Sequence, residues 1–164
     1  GTIRDVLLGI QPVFWIKEPT TLLICVLVSC VTFFIAHVFH HRFRSLLWFD
    51  AIGLALFAIT GASSALVHNV HPMIAIAMGV ATATFGGIIR DILGGESPII
   101  LRQEVYITAA LVGSAIFVIL LSLQVPQDLA VAAGFISGFS LRAAALYWGL
   151  SLPRYRPRDL ADHD

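Results

Sequence analysis

The residues in this 164-residue chain that are placed to act on something else are few, and most of them are charged. Arg142 lies inside a long apolar run, and the pairs Arg4-Asp5 and Arg90-Asp91 recur with the same glycine spacing before them. Gly86 and Gly87 stand together in another apolar run, where each costs a helix about 1 kcal/mol relative to Ala. A guanidinium in apolar surroundings needs a partner or a water-filled space, which makes it a marker of an ion or solute path. Bond-making chemistry has no such footing. There is no Ser/His/Asp set, phosphate loop, zinc spacing or paired-carboxylate motif, so neither an enzyme nor a bound cofactor is expected. His40 and His41 beside Arg42 read as an interfacial loop, and His68 and His71 as caps of a turn, rather than as metal ligands. Cys25 and Cys30 sit five apart on different helix faces and read as small hydrophobes.

The elements that hold these residues are set by hydrophobicity. Apolar residues make up 58% of the chain and charged residues 12%, against about 25% charged in a soluble domain. Too few polar side chains remain to cover a soluble core. Ten basic and ten acidic residues cancel, which removes the electrostatic footprint of a nucleic-acid binder. Val105 to Gln127 runs 23 residues without a formal charge, Pro72 to Ile89 runs 18 and Ala51 to Val67 runs 17. About 20 largely apolar residues cross the hydrocarbon core as a helix. The chain is therefore expected to be an all-α polytopic membrane protein with five complete spans, at 19–39, 47–68, 71–93, 103–124 and 127–150. Basic residues gather in the 40–45 loop, the 90–102 region and the 151–164 tail. The positive-inside rule places these on the cytoplasmic side, with the C-terminus inside.

An internal repeat is the most informative feature. Gly1 to Gly9 matches Gly87 to Gly95 at an offset of 86, and the match continues through Pro12/Pro98 and Glu18/Glu104. Eight of the first 18 positions are identical, among them Gly1, Arg4, Asp5, Gly9 and Pro12. Two complete helices lie between the copies, so the copies run in opposite directions and the repeat is inverted. Expected units within the single membrane domain, 1–164, are then 1–46 as the remainder of a first repeat, 47–126 as the second, 127–150 as a final helix and 151–164 as a tail. The same parity predicts seven spans in a complete protein, with one and a half of them preceding Gly1.

Depth follows from a rise of 1.5 Å per residue. Counted from Pro72, Gly87 lies about 22 Å in and Arg90-Asp91 about 27–29 Å in; Arg142 lies about 21 Å beyond Asp128. The glycine pair is expected to break span 71–93, with carbonyls near 82–86 facing a polar cavity; two glycines also permit close helix packing. Each Arg-Asp is expected at one mouth of a pathway, with neighbours on a helix diverging by about 100°, or as an interfacial anchor. Asp50 and Asp91 are the candidate partners of Arg142. Gly134 and Gly138, and Gly61 with Ala65, are close-packing signals.

Gly86-Gly87-Ile88-Ile89-Arg90-Asp91, its copy at Gly1, the stretch from Gly53 to Ala62 and Gly138 to Arg142 together resemble the prokaryotic TRIC proteins, the trimeric intracellular cation channels. The resemblance implies a seven-helix protomer, a homotrimer in the inner (plasma) membrane among lipid, and a pore in each protomer for monovalent cations, chiefly potassium. It makes Gly1, Gly86 and Gly87 the pore-helix glycines. With no acidic ring in the sequence to concentrate cations, selectivity is expected from carbonyls and from the hydroxyls of Thr82 and Thr84. Bacterial members have also been assigned to glycine uptake, which implies an alternating-access carrier instead.

Overall fold

The computed structural model describes residues 1–17, 19–36, 43–93 and 105–148, and every regular element among them is an α-helix. In chain order these are α1 (Thr2–Leu7), α2 (Phe14–Lys17), α3 (Pro19–Ala36), α4 (Phe43–Val67), α5 (Pro72–Leu93), α6 (Val105–Ser122) and α7 (Gln127–Trp148).

Local chemistry explains the ends. Gly9 has φ +68°, and Ile10 N–H donates to the Asp5 carbonyl at 2.8 Å while Gly9 N–H donates to Val6 at 3.1 Å. This is a Schellman cap, which needs a left-handed residue and therefore favours Gly. The same bond pattern closes α6, where Gln124 takes φ 61° and Val125 N–H donates to Leu120 at 3.0 Å. Pro72 opens α5 at the position where a missing N–H costs nothing.

Helices α4, α5, α6 and α7 form the core: α4 packs on all three others, α5 on α6 and α6 on α7, while α1 leans on α5 and α2 on α3. Eleven of the seventeen buried apolar residues are alanines, whereas large side chains such as Phe49, Leu56, Met73 and Ile119 face outward. Small residues inside and large ones outside suit a bundle surrounded by lipid, where close backbone approach rather than hydrophobic collapse holds helices together.

Four helices are long and apolar enough to cross a membrane, with spans at Leu47–Val67, Pro72–Ile89, Val105–Ser122 and Gln127–Trp148. The other expected span, 19–39, corresponds to α3, whose apolar described stretch is Leu22–Val31. The basic connections at 37–42, 94–104 and 149–164 lie outside the described residues. One expectation is corrected here. Helix α5 runs without interruption from Pro72 to Leu93, so Gly86-Gly87 does not break it. Glycine keeps its backbone N–H, and its helical penalty of about 1 kcal/mol is small enough for packing against neighbours to override.

Candidate functional site

A cavity of about 410 Å³ opens between α1, α3, α4 and α5. Gly1, which caps α1, lines it with Arg4 and Leu7 of α1, Cys25 of α3, Phe57 of α4, and Thr82, Phe85, Gly86 and Ile89 of α5. Residues of both copies of the duplicated motif thus meet at one space. They reach it because α1 packs directly on α5.

Within α1, Arg4 and Asp5 bond to each other. Arg4 Nη2 lies 2.6 Å and Nε 2.9 Å from Asp5 Oδ1. The Asp5 side chain is 1% exposed and that of Arg4 12%. Helical neighbours do diverge, but the guanidinium stem is long enough to fold back, and a nearly buried carboxylate rewards it for doing so. The second copy, Arg90 and Asp91, occupies the last turn of α5, and its side chains lie outside the described residues.

The two threonines separate. Thr82 lines the cavity, but its hydroxyl is buried with no hydrogen-bond partner among the described residues and sits 2.8 Å from where a Gly61 β-carbon would stand. Thr84 does not line the cavity; it is 4% exposed, and its Oγ1 donates to the Val80 carbonyl at 2.9 Å. Residues two apart on a helix point about 200° apart, so only one of the pair can face a given space. The Thr82 hydroxyl is thus buried although its residue lines the cavity, and the Thr84 hydroxyl is bonded within its own helix. The glycine pair separates in the same way. Gly86 lines the cavity with nothing within 4 Å of a β-carbon placed there, whereas a β-carbon on Gly87 would meet the Tyr106 hydroxyl at 2.8 Å.

Arg142 is fully enclosed. Its guanidinium lies over the Tyr106 ring of α6, 5.0 Å from the centroid. The Tyr106 hydroxyl points toward Asp50 Oδ1 of α4, at 3.5 Å, the long end of hydrogen-bonding distance. Sequence points to Asp50 and Asp91 as candidates, and the structure places Asp50 beside the hydroxyl of Tyr106, a residue that sequence reasoning passed over. An aromatic near a span end reads as an interfacial anchor, and only the packing of α6 on α7 turns it under the arginine.

Gly134 and Gly138 face α6 rather than lipid. A β-carbon on Gly138 would stand 3.1 Å from the Ala109 carbonyl and 3.3 Å from Gly113 Cα, and one on Gly134 would stand 2.9 Å from the Gly113 carbonyl. Gly113, which sequence reasoning passed over, completes this crossing. At the α4/α5 crossing Gly61 and Gly79 do the same, the latter against the Ala58 carbonyl. Among the described residues no group of His, Cys, Asp and Glu is placed to hold a metal ion.

Membrane-length helices packed through glycine and alanine, an enclosed arginine and an internal cavity at a duplicated motif define a polytopic membrane protein with a space inside the protomer. The family model described as "Glycine transporter" matches residues 1–37 and 47–122. Solved TRIC channels share the fold. The chain superposes on the trimeric intracellular cation channel orthologue from Rhodobacter sphaeroides with TM-score 0.88 and 61% identity, over 92% of this chain and 77% of that one. A second structure, from work on conductance through TRIC cation channels, gives 0.85 and 36%, over 96% and 78%. The chain belongs to this family, the prokaryotic TRIC proteins. Curated relatives include a UPF0126 membrane protein of Vibrio cholerae, 39% identical over 160 residues, and the UPF0126 inner membrane protein YadS of Escherichia coli, 38% identical over 157. Each match covers 94% of this chain; the chain spans 65% of the first relative's length and 76% of the second's.

Proposed function

We propose that this protein conducts monovalent cations, chiefly potassium, through a pathway inside each protomer of a homotrimer in the inner membrane. It is a transport protein and not an enzyme. The observation that carries the proposal is the cavity lined jointly by Gly1 and Arg4 of one motif copy and by Gly86 and Ile89 near the other. An inverted repeat brings two such segments to one central space, as in many channels and transporters. In support of the duplication, the matched stretches 1–37 and 47–122 end within a residue of each other under the offset of 86. The relatives' solved structures are described as cation channels, and one as trimeric. In this reading the full protein has three helices, an inverted three and a final helix.

Because Gly86 offers no side chain and α5 is unbroken, the glycines act by leaving room rather than by opening the helix. With the Thr82 hydroxyl buried and Thr84 off the cavity, the wall of the pathway is largely apolar, and Arg4, paired with Asp5, is its charged side chain among the described residues.

A second reading is favoured by the family's own description: an alternating-access carrier for glycine. Flux into liposomes by the full-length protein separates the two. Potassium current above ~10⁶ ions per second exceeds what microsecond-to-millisecond domain motions allow a carrier. Saturable glycine uptake without current overturns the channel reading.

A further inference from the structure

One phenol touches all the other helices of the core. Tyr106, at the start of α6, is 3% exposed. Its ring carries the Arg142 guanidinium from α7 at 5.0 Å, its hydroxyl faces Asp50 Oδ1 of α4 at 3.5 Å, and the same hydroxyl occupies the notch left by Gly87 on α5. A cation over an aromatic face draws on the ring's electrons, which makes the phenol a better hydrogen-bond donor toward a carboxylate. The hydroxyl is therefore held from two sides while it presses on a third.

The glycine next to that notch faces elsewhere. Gly86 lines the cavity, and adjacent helical positions are about 100° apart, so α5 turns one glycine to the cavity and the other to the phenol. We infer that Tyr106 is a positioning residue for the pathway: its hydroxyl, seated on Gly87, sets how closely the inner half of α5 approaches α6, and through it the width of the cavity at Gly86. Arg142 then acts on the pathway at one remove, by holding Tyr106, rather than by lining it. The inference deepens the proposed function and rests on the cavity being the pathway.

The test uses the full-length protein carrying Gly87→Ala, Tyr106→Phe and the two together. Two quantities are measured, the thermal midpoint of the oligomer in mild detergent and the potassium conductance in liposomes. Gly87→Ala puts a methyl group against the hydroxyl and is expected to lower the midpoint by several degrees and conductance several-fold. The double variant is expected to recover most of both losses, because the methyl group then meets only a ring carbon at an ordinary 3.6 Å. If Gly87→Ala yields no folded oligomer, its reappearance in the double variant is the expected result. A double variant as poor as the sum of the singles overturns the seat. Rescue of the midpoint with conductance unchanged in every variant overturns the positioning role and leaves a merely structural contact. If the wild type passes no potassium, the channel reading fails separately; the rescue is then read in the midpoint and in glycine uptake.

Discussion

At the scale of single residues, the informative group is Arg142. A fully enclosed cation is tolerated because its guanidinium lies over the Tyr106 ring, whose hydroxyl faces Asp50. Breaking a buried charge cluster by removing one member costs about 3–5 kcal/mol, since the other charge is left behind. Arg142→Ala is expected to cost that much, measured as the denaturation midpoint of the oligomer in mild detergent. An unchanged midpoint would contradict the cluster. Arg142→Lys is expected to rescue only partly, because a point charge does not stack on a ring as a planar guanidinium does. Gly9 is the other residue whose type is dictated by its position. At φ +68° a β-carbon crowds the following carbonyl, so Gly9→Ala is expected to destabilise by about 1–2 kcal/mol although nothing lies within 4 Å of the new methyl group. Hydrogen exchange in residues 5–10 reads that loss directly, as faster opening of the α1 cap.

At the scale of helices, glycines do different work according to what they face. Those at the α6/α7 crossing meet backbone, which cannot swing aside: Gly134 and Gly138 press on Gly113 and the Ala109 carbonyl. Gly138→Leu therefore forces the two helices apart, at a cost of at least the about 1–3 kcal/mol typical of overpacking. This face is consumed within the protomer, so the variant is expected to lower yield and thermal stability of the folded chain itself. A heat-stable, normally expressed Gly138→Leu protein would show that α6 and α7 do not cross there. Gly86 is the counterexample. With open space beside it, Gly86→Ala is expected to stabilise α5 by about 1 kcal/mol through helix propensity while lowering conductance, because the methyl group enters the cavity. Unaltered conductance in that variant would remove Gly86 from the pathway.

At the scale of the whole molecule, orientation and symmetry are the open proposals. From the basic residues of the connections in the sequence, we propose that the C-terminus is inside. With Cys25 and Cys30 replaced by Ser, a cysteine introduced at His68 is expected to react with an impermeant thiol reagent from outside, and one at Arg156 only after the membrane is permeabilised. The reverse pattern would invert the topology. The duplicated motif is expected to relate 1–46 and 87–132 by a pseudo-twofold axis in the membrane plane. An experimental structure of the full-length protein in which they superpose only about an axis along the membrane normal would overturn the parity argument.

Much was legible in the residues themselves. Long charge-free runs dictate membrane-length helices, because a lipid-facing backbone must satisfy its own hydrogen bonds and an exposed charge is costly there. The duplicated Gly-x-x-Arg-Asp is a one-dimensional pattern and needs no coordinates. Arg142 announces itself by depth alone, and Asp50 by being an acidic residue near the inner end of a span. What those residues touch was decided by packing. Which of two adjacent glycines faces a cavity, and which of Thr82 and Thr84 does, depends on the rotation of α5, and near-uniform apolarity leaves rotation unmarked in the sequence. Whether Gly86-Gly87 breaks the helix depends on neighbours that outweigh about 1 kcal/mol of propensity per residue. Tyr106 became central only once α6 lay against α7 and α5, since a phenol beneath an arginine and against a glycine is a meeting of three separate helices.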